Sequence, residues 1–162
     1  MGILLTLVAI AGWFLFQTAK TRPIIQPVAF SHATHIVKEE LECRDCHEGE
    51  ETVKAGFASI KECYQCHEEP QGKHPDEEKV IAYGEKGHQI PFIQVNRNVG
   101  HVYFSHRAHV RFGEMKCEDC HGDMKTVKTP VSVPTPSLHS MGACIDCHRK
   151  RGASLECASC HK

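Results

Sequence analysis

Residues 30–47 read FSHATHIVKEELECRDCH, and residues 104–121 read FSHRAHVRFGEMKCEDCH. Each stretch joins a His-x-x-His pair to a Cys-x-x-Cys-His unit, and that combination decides the fold. Two thiols three residues apart can each add to one vinyl group of a haem, and the His that follows reaches the iron from the same side. Outward from these stretches the unit recurs, as Cys43/Cys46/His47, Cys63/Cys66/His67, Cys117/Cys120/His121, Cys144/Cys147/His148 and Cys157/Cys160/His161. All 10 cysteines of the chain fall in these units. A zinc site draws four ligands from paired motifs, and five units do not pair evenly. A disulfide scaffold gives no reason for a His after every second Cys. The pattern implies five covalently attached haem c groups, each with a proximal His.

The histidine supply fits. Of 13 His, eight lie outside the motifs: His32, His35, His74, His88, His101, His106, His109 and His139. Residues at i and i+3 of a helix share one face. A His-x-x-His pair therefore serves two neighbouring irons, because one position on each iron is already filled. His32, His35, His106 and His109 are the expected distal ligands. The fifth is open among His139, Met141, His101 and His88. Met ligation would raise the potential of that haem above that of a bis-His haem. Met115 and Met124 lie close to a haem motif of their own, and His74 is expected at the surface. Arg149, Lys150 and Arg151 read as a solvated turn or as partners of haem propionates.

The expected fold is mainly α and irregular with little β structure. A chain of 162 residues carrying five haems has too little apolar side chain for a conventional core, so the polypeptide should wrap around the haems. Ile3 to Phe16 is apolar, and Gly2 to Ala19 spans 18 residues, near the lower limit for crossing a bilayer. A cleaved secretory signal is the rival reading, but no basic residue precedes the run and no small-x-small site follows it. Trp13 and Phe14 suit an interfacial anchor, whereas Lys20 and Arg22 run against the positive-inside tendency. Haem attachment to this motif takes place on the periplasmic side of bacterial membranes, and that chemistry outweighs two charges. The reading is an uncleaved N-terminal transmembrane helix over 1–22, with the haem domain on the outer face of the bacterial inner membrane.

The remainder repeats itself. FSHxxH, the Cys-x-x-Cys-His unit and Thr-Val-Lys recur at an offset of 74 residues. The register then slips by seven at a proline-bearing stretch, 129–137, which reads as a loop. The organisation is a two-haem module (23–73), a linker (74–100) and a three-haem module (101–162), as duplication of one unit would produce. Within the linker, Asp76 to Tyr83 is expected to be helical and Ile90 to Val95 extended. A net charge of −1 gives no argument for nucleic acid.

The FxHxxH element followed by Cys-x-x-Cys-His resembles the class III cytochrome c family, the c3 and c7 group. A broader likeness runs over residues 26–148. QPVAFSH (26–32), AGFASI (55–60), HVYFSH (101–106) and MGACIDCHR (141–149) are similar to the pentahaem cytochrome subunit of alternative complex III and to the cytochrome subunit of the Qrc menaquinone reductase. The chain departs from that pattern at Ala143 and Pro136. The resemblance implies an N-terminal membrane helix and work beside an iron–sulfur subunit and polytopic quinone-binding subunits. It also implies a further cytochrome or other periplasmic redox protein as acceptor or donor.

Three functions compete. The first is an electron-conducting subunit of a membrane quinone oxidoreductase, favoured by the anchor and the resemblance. The second is a stand-alone anchored or filament-forming carrier. The third is a multihaem reductase, which needs an iron with an open position and nearby acid–base groups. Every motif here ends in His and distal ligands are in surplus, so the chain reads as an electron-transfer protein and not an enzyme. The haem carries the chemistry, and the protein positions and tunes it.

Overall fold

The computed structural model describes residues 6–8, 10, 12–13, 23–49, 52–98, 100–135, 138 and 140–161. Among the described residues, the α-helices from Cys43 on are, in chain order, α1 (Cys43–Cys46), α2 (Ile60–Tyr64), α3 (Glu77–Glu85), α4 (Cys117–His121), α5 (Met141–Arg151) and α6 (Cys157–Cys160). Among the described residues, β structure is confined to an antiparallel bridge between Val102 and His161. The mainly α and irregular expectation holds. No helix among the described residues is long and apolar enough to cross a membrane. The anchor expected over 1–22 falls outside the described residues, apart from 6–8, 10, 12 and 13.

The short helices start where the sequence supplies an acceptor for their first free N–H groups. The Asp45 carboxylate accepts from the Glu42 N–H at 2.7 Å, and Asp119 accepts from the Lys116 N–H at 2.9 Å. Ser59 and Ser140 cap α2 and α5, their hydroxyls accepting from the Lys61 and Ala143 N–H groups at 3.1 Å. One helical turn suffices to bring the two thiols of a motif to one side. The His-x-x-His stretches end differently, in wide π-type turns at Thr34–Lys38 and Ala108–Phe112. Such turns concentrate at functional positions. Each is followed by a glutamate in left-handed backbone, Glu40 at φ 56° and Glu114 at φ 51°. The duplication therefore extends to an uncommon backbone conformation.

Residues 74–100 do more than link. α3, one residue later at its start than expected and two later at its end, packs on α2. Ile60 and Val80 are buried there. A Cβ added at Gly84 would overlap the Tyr64 ring, so only glycine lets the two helices approach this closely. Gly84→Ala is expected to lower stability by about 1–3 kcal/mol, the usual range for overpacking. That is a fall of several degrees in the melting temperature of the haem-loaded protein. An unchanged calorimetric transition would show that the contact is not tight. The Gln89 side chain accepts from the Ile60 N–H at 2.9 Å, and Asn96 accepts from the Thr135 N–H at 2.9 Å.

The strap 23–29 is held by side chains rather than by a sheet. Gln26 donates to the Ile93 and Val131 carbonyls and accepts from the Ile93 N–H, at 2.9–3.0 Å. Asp76 takes the Ala29 N–H at 2.8 Å and Lys79 at 2.6 Å. The Lys79 ammonium, and then the Ala29 N–H, hold the Asp76 carboxyl below the usual carboxylate range. Arg149 to Arg151, expected as a turn, form the last turn of α5, where positive charge complements the helix dipole. Arg149 pairs with Asp146 at 3.0 Å, and Arg151 donates to the Gly113 carbonyl at 2.9 Å.

The two copies of the repeat meet reciprocally. The Ala33 N–H donates to the Val127 carbonyl at 2.9 Å, and the Arg107 N–H donates to the Thr52 carbonyl at 2.8 Å. Residues 33 and 107 are equivalent in the repeat, and Val53, beside Thr52, is the equivalent of Val127. Each His-x-x-His stretch thus rests on the loop behind the other copy's haem motif, as in a two-fold interface. Among the described residues the polypeptide buries only Val28, Ile60 and Val80 as apolar side chains. The chain makes almost no core from its own side chains.

Candidate haem-binding centres

Each of the five motif histidines faces a second imidazole. His32 stands opposite His47 with ring centres 6.4 Å apart, and His106 opposite His121 at 6.5 Å. His35 stands opposite His67 at 6.2 Å, and His109 opposite His148 at 6.0 Å. His101 stands opposite His161 at 5.3 Å. The ring tilts repeat with the sequence. The first two pairs are near parallel, at 14° and 5°, and the next two are both tilted by 40°.

These spacings fit an iron between the rings. A metal–imidazole bond is about 2.0–2.1 Å and the ring centre lies roughly another 1 Å back, so two rings flanking one metal sit about 6 Å apart. The pair at 5.3 Å is somewhat closer than that. All ten thiols are free, as thioether formation requires. No three His, Cys, Asp or Glu side chains among the described residues converge in the manner of a zinc site.

Hydrogen bonds set the tautomers. The Nδ1–H of His35 donates to the Ser31 carbonyl at 2.9 Å, and that of His109 to the Ser105 carbonyl at 2.8 Å. The Nδ1–H of His47 donates to Gly56 O at 2.8 Å, and that of His148 to Ser154 O at 2.7 Å. A proton fixed on Nδ1 leaves the Nε2 lone pair for a metal, the usual outer-shell arrangement. His67 differs, donating from Nδ1 to the Glu77 carboxylate at 2.9 Å. Nδ1 of His32 and of His106 is buried without a hydrogen-bond partner. Burial, and then the neighbouring His47 and His35, push His32 below the usual histidine range, which favours the neutral, metal-binding ring.

Every residue of the repeated Phe-Ser-His-x-x-His has a task. Phe30 stacks on His35 at 4.4 Å and meets His32 edge-on at 4.9 Å. Phe104 does the same with His109 at 4.4 Å and His106 at 5.0 Å. Ser31 and Ser105 also accept the Thr34 and Ala108 N–H groups, starting the turn that carries the second His. The repeat was the signal for Phe and Ser. Nothing in the sequence singled out Gly56, Ser154 or Glu77.

The remaining candidates separate. Val102 pairs with His161, and the Tyr103 N–H donates to Cys160 O at 2.8 Å, which brings His101 to the last motif. Met141 opens α5 with its side chain 63% exposed. His139 lies outside the described residues. His74 is exposed and accepts from the Asp76 N–H, and exposed His88 lines a shallow pocket with Lys79, Tyr83 and Lys86.

Burial, and then the neighbouring Cys43 thiol, push the Cys117 thiol up. Cys63 is pushed up by burial and then by Cys46. Cys120 is pushed up by burial and then by Cys147, with a smaller contribution from Cys144. Each shift thus has a thiol of another motif among its causes, the first motif for the third, the first for the second, and the fourth for the third. His101, which faces His161, lies five residues before His106.

Comparison with known proteins gives matches at both ends of the chain. Residues 102–162 match the family described as cytochrome c7 and related cytochrome c, and residues 16–91 match the class III cytochrome c family. A curated relative is the menaquinone reductase, multiheme cytochrome c subunit, of Nitratidesulfovibrio vulgaris (strain Hildenborough). It is 32% identical over 123 residues, covering 75% of this chain and 56% of that protein. The chain spans a little over half the length of this relative.

Proposed function

From the premise that the chain carries class III and c7-type multihaem cytochrome c domains, we propose that it is a membrane-anchored pentahaem electron carrier. In this reading it passes electrons between a membrane quinone oxidoreductase and periplasmic redox partners. The observation that carries the reading is the set of five facing imidazole pairs, each with one ring from a Cys-x-x-Cys-His motif.

Cys43 and Cys46, Cys63 and Cys66, Cys117 and Cys120, Cys144 and Cys147, and Cys157 and Cys160 tether the groups. His47, His67, His121, His148 and His161 are the proximal ligands. His32, His35, His106, His109 and His101 are the distal ligands. Haem c held there supplies reversible one-electron chemistry at iron. The protein's part is to hold the Nδ1 protons of His35, His47, His67, His109 and His148 on their acceptors and to fix ring orientation through Phe30 and Phe104. Two imidazoles per iron leave no open position for a substrate, which supports a carrier rather than a catalyst.

Partnership with quinone-binding and iron–sulfur subunits is supported by the likeness to a menaquinone reductase subunit. Anchoring on the periplasmic face is supported by the apolar run Ile3 to Phe16. Purification from membranes in mild detergent, with haem-stained native gels and mass spectrometry of the stained band, tests the assignment. Migration with iron–sulfur and polytopic subunits is the expected result. Migration alone or as a homopolymer would make the chain an independent carrier.

A further inference from the structure

We infer that Glu77 sets the haem at Cys63 and Cys66 to a lower potential than its counterpart in the second copy of the repeat, the haem at Cys144 and Cys147. The inference rests on the proposed haem ligation and concerns a residue that acts through His67. Its ground is a difference between two ring pairs that otherwise match. His35 facing His67 and His109 facing His148 have the same 40° tilt and nearly the same spacing. Their distal members donate alike, to the Ser31 and Ser105 carbonyls. Their proximal members do not. His148 donates to a backbone carbonyl, Ser154 O, whereas His67 donates to the Glu77 carboxylate at 2.9 Å.

The physical consequence has a definite sign. A carboxylate accepting the Nδ1 proton makes the imidazole a stronger donor to the metal, and its charge sits on the far side of a ligated ring. Both effects favour the ferric state, which carries one more positive charge than the ferrous. The site is built to keep the carboxylate in place. Glu77 and His67 side chains are each only 18% exposed. The Gln71 N–H also donates to Glu77 at 3.3 Å. Glu77 lies in the first turn of α3, where the helix dipole favours negative charge. α3 itself is fixed against α2 by Ile60, Val80 and the Tyr64–Gly84 contact. In the second copy the chain after Arg151 runs directly into the fifth motif, and the Ser154 carbonyl on that stretch takes the His148 proton.

Glu77→Gln in the haem-loaded protein keeps size and hydrogen-bonding capacity and removes the charge. In a spectroelectrochemical titration one of the five one-electron waves should move upward. The expected change is about tenfold in that haem's reduction equilibrium, or ~59 mV for one electron. The other four waves should stay in place. Five unmoved waves would overturn the inference. A second measurement needs no variant. Stepwise reduction of the unmodified protein followed by nuclear magnetic resonance should show the Cys63/Cys66 haem reducing after the Cys144/Cys147 haem, and the reverse order would overturn it. Peptide mass spectrometry separates this from failure of the underlying reading. Absence of haem on Cys63 and Cys66 would remove the proposed function, and this inference with it.

Discussion

Made without haem attachment, the chain is expected to show no cooperative unfolding transition and no protected backbone amides. The reason is the near absence of a side-chain core. Val28, Ile60 and Val80 are the buried apolar residues among those described, and none falls below 4% exposure. Burial of one such side chain contributes about 1.5–3 kcal/mol. Three of them are far too few to offset the conformational entropy of ordering the chain. Local structure cannot make up the difference. From Cys43 on, the helices among the described residues run from four to eleven residues, shorter than isolated helices need in water. In the proposed function, tethered haems supply the missing apolar surface and tie distant ligands to each motif. Circular dichroism and hydrogen exchange on a variant with all ten motif cysteines changed to alanine would test this. A sharp thermal transition in that variant would mean that the polypeptide carries its own core.

The second large effect concerns the fifth iron. His101→Ala is expected to leave five haems covalently attached while turning one of them high-spin. One-fifth of the haem should change its electron paramagnetic resonance signature, and the reduced protein should take up one equivalent of carbon monoxide. Met141→Leu should leave both readouts unchanged. The argument is positional. His101 faces His161 at 5.3 Å, held by the bridge at Val102, whereas the Met141 side chain is largely exposed at the start of α5. The opposite result, a high-spin haem in the Met141 variant alone, would reassign the ligand. The same substitution at His35 or His109 should likewise open one haem each, at the second and fourth motifs.

These expectations divide according to how the sequence encodes each feature. The Cys-x-x-Cys-His units are local. Three-residue spacing and one helical turn place two thiols together whatever the rest of the chain does, so the five motifs were legible residue by residue. The His-x-x-His pairs were legible for the same reason, reinforced by their recurrence with the same flanking Phe and Ser. Even the ring tilts follow the repeat. Linker helix α3 was visible as a short helical segment, but not its docking on α2, which depends on a single glycine admitting a tyrosine ring.

By itself, then, the sequence determined where the five Cys-x-x-Cys-His motifs and the two His-x-x-His pairs lie, and that one unit is used twice. It determined this because ligation chemistry is written in spacings of three or four residues. Only the tertiary structure decided which imidazole meets the last motif, which motifs lie side by side, and that Glu77 reaches His67. His101 and His161 are sixty residues apart, and Cys43 and Cys117 are separated by the whole linker. Irregular chain held by scattered side-chain hydrogen bonds, such as those of Gln26, has no periodicity from which its path could be read. The contacts that close the molecule depend on that path.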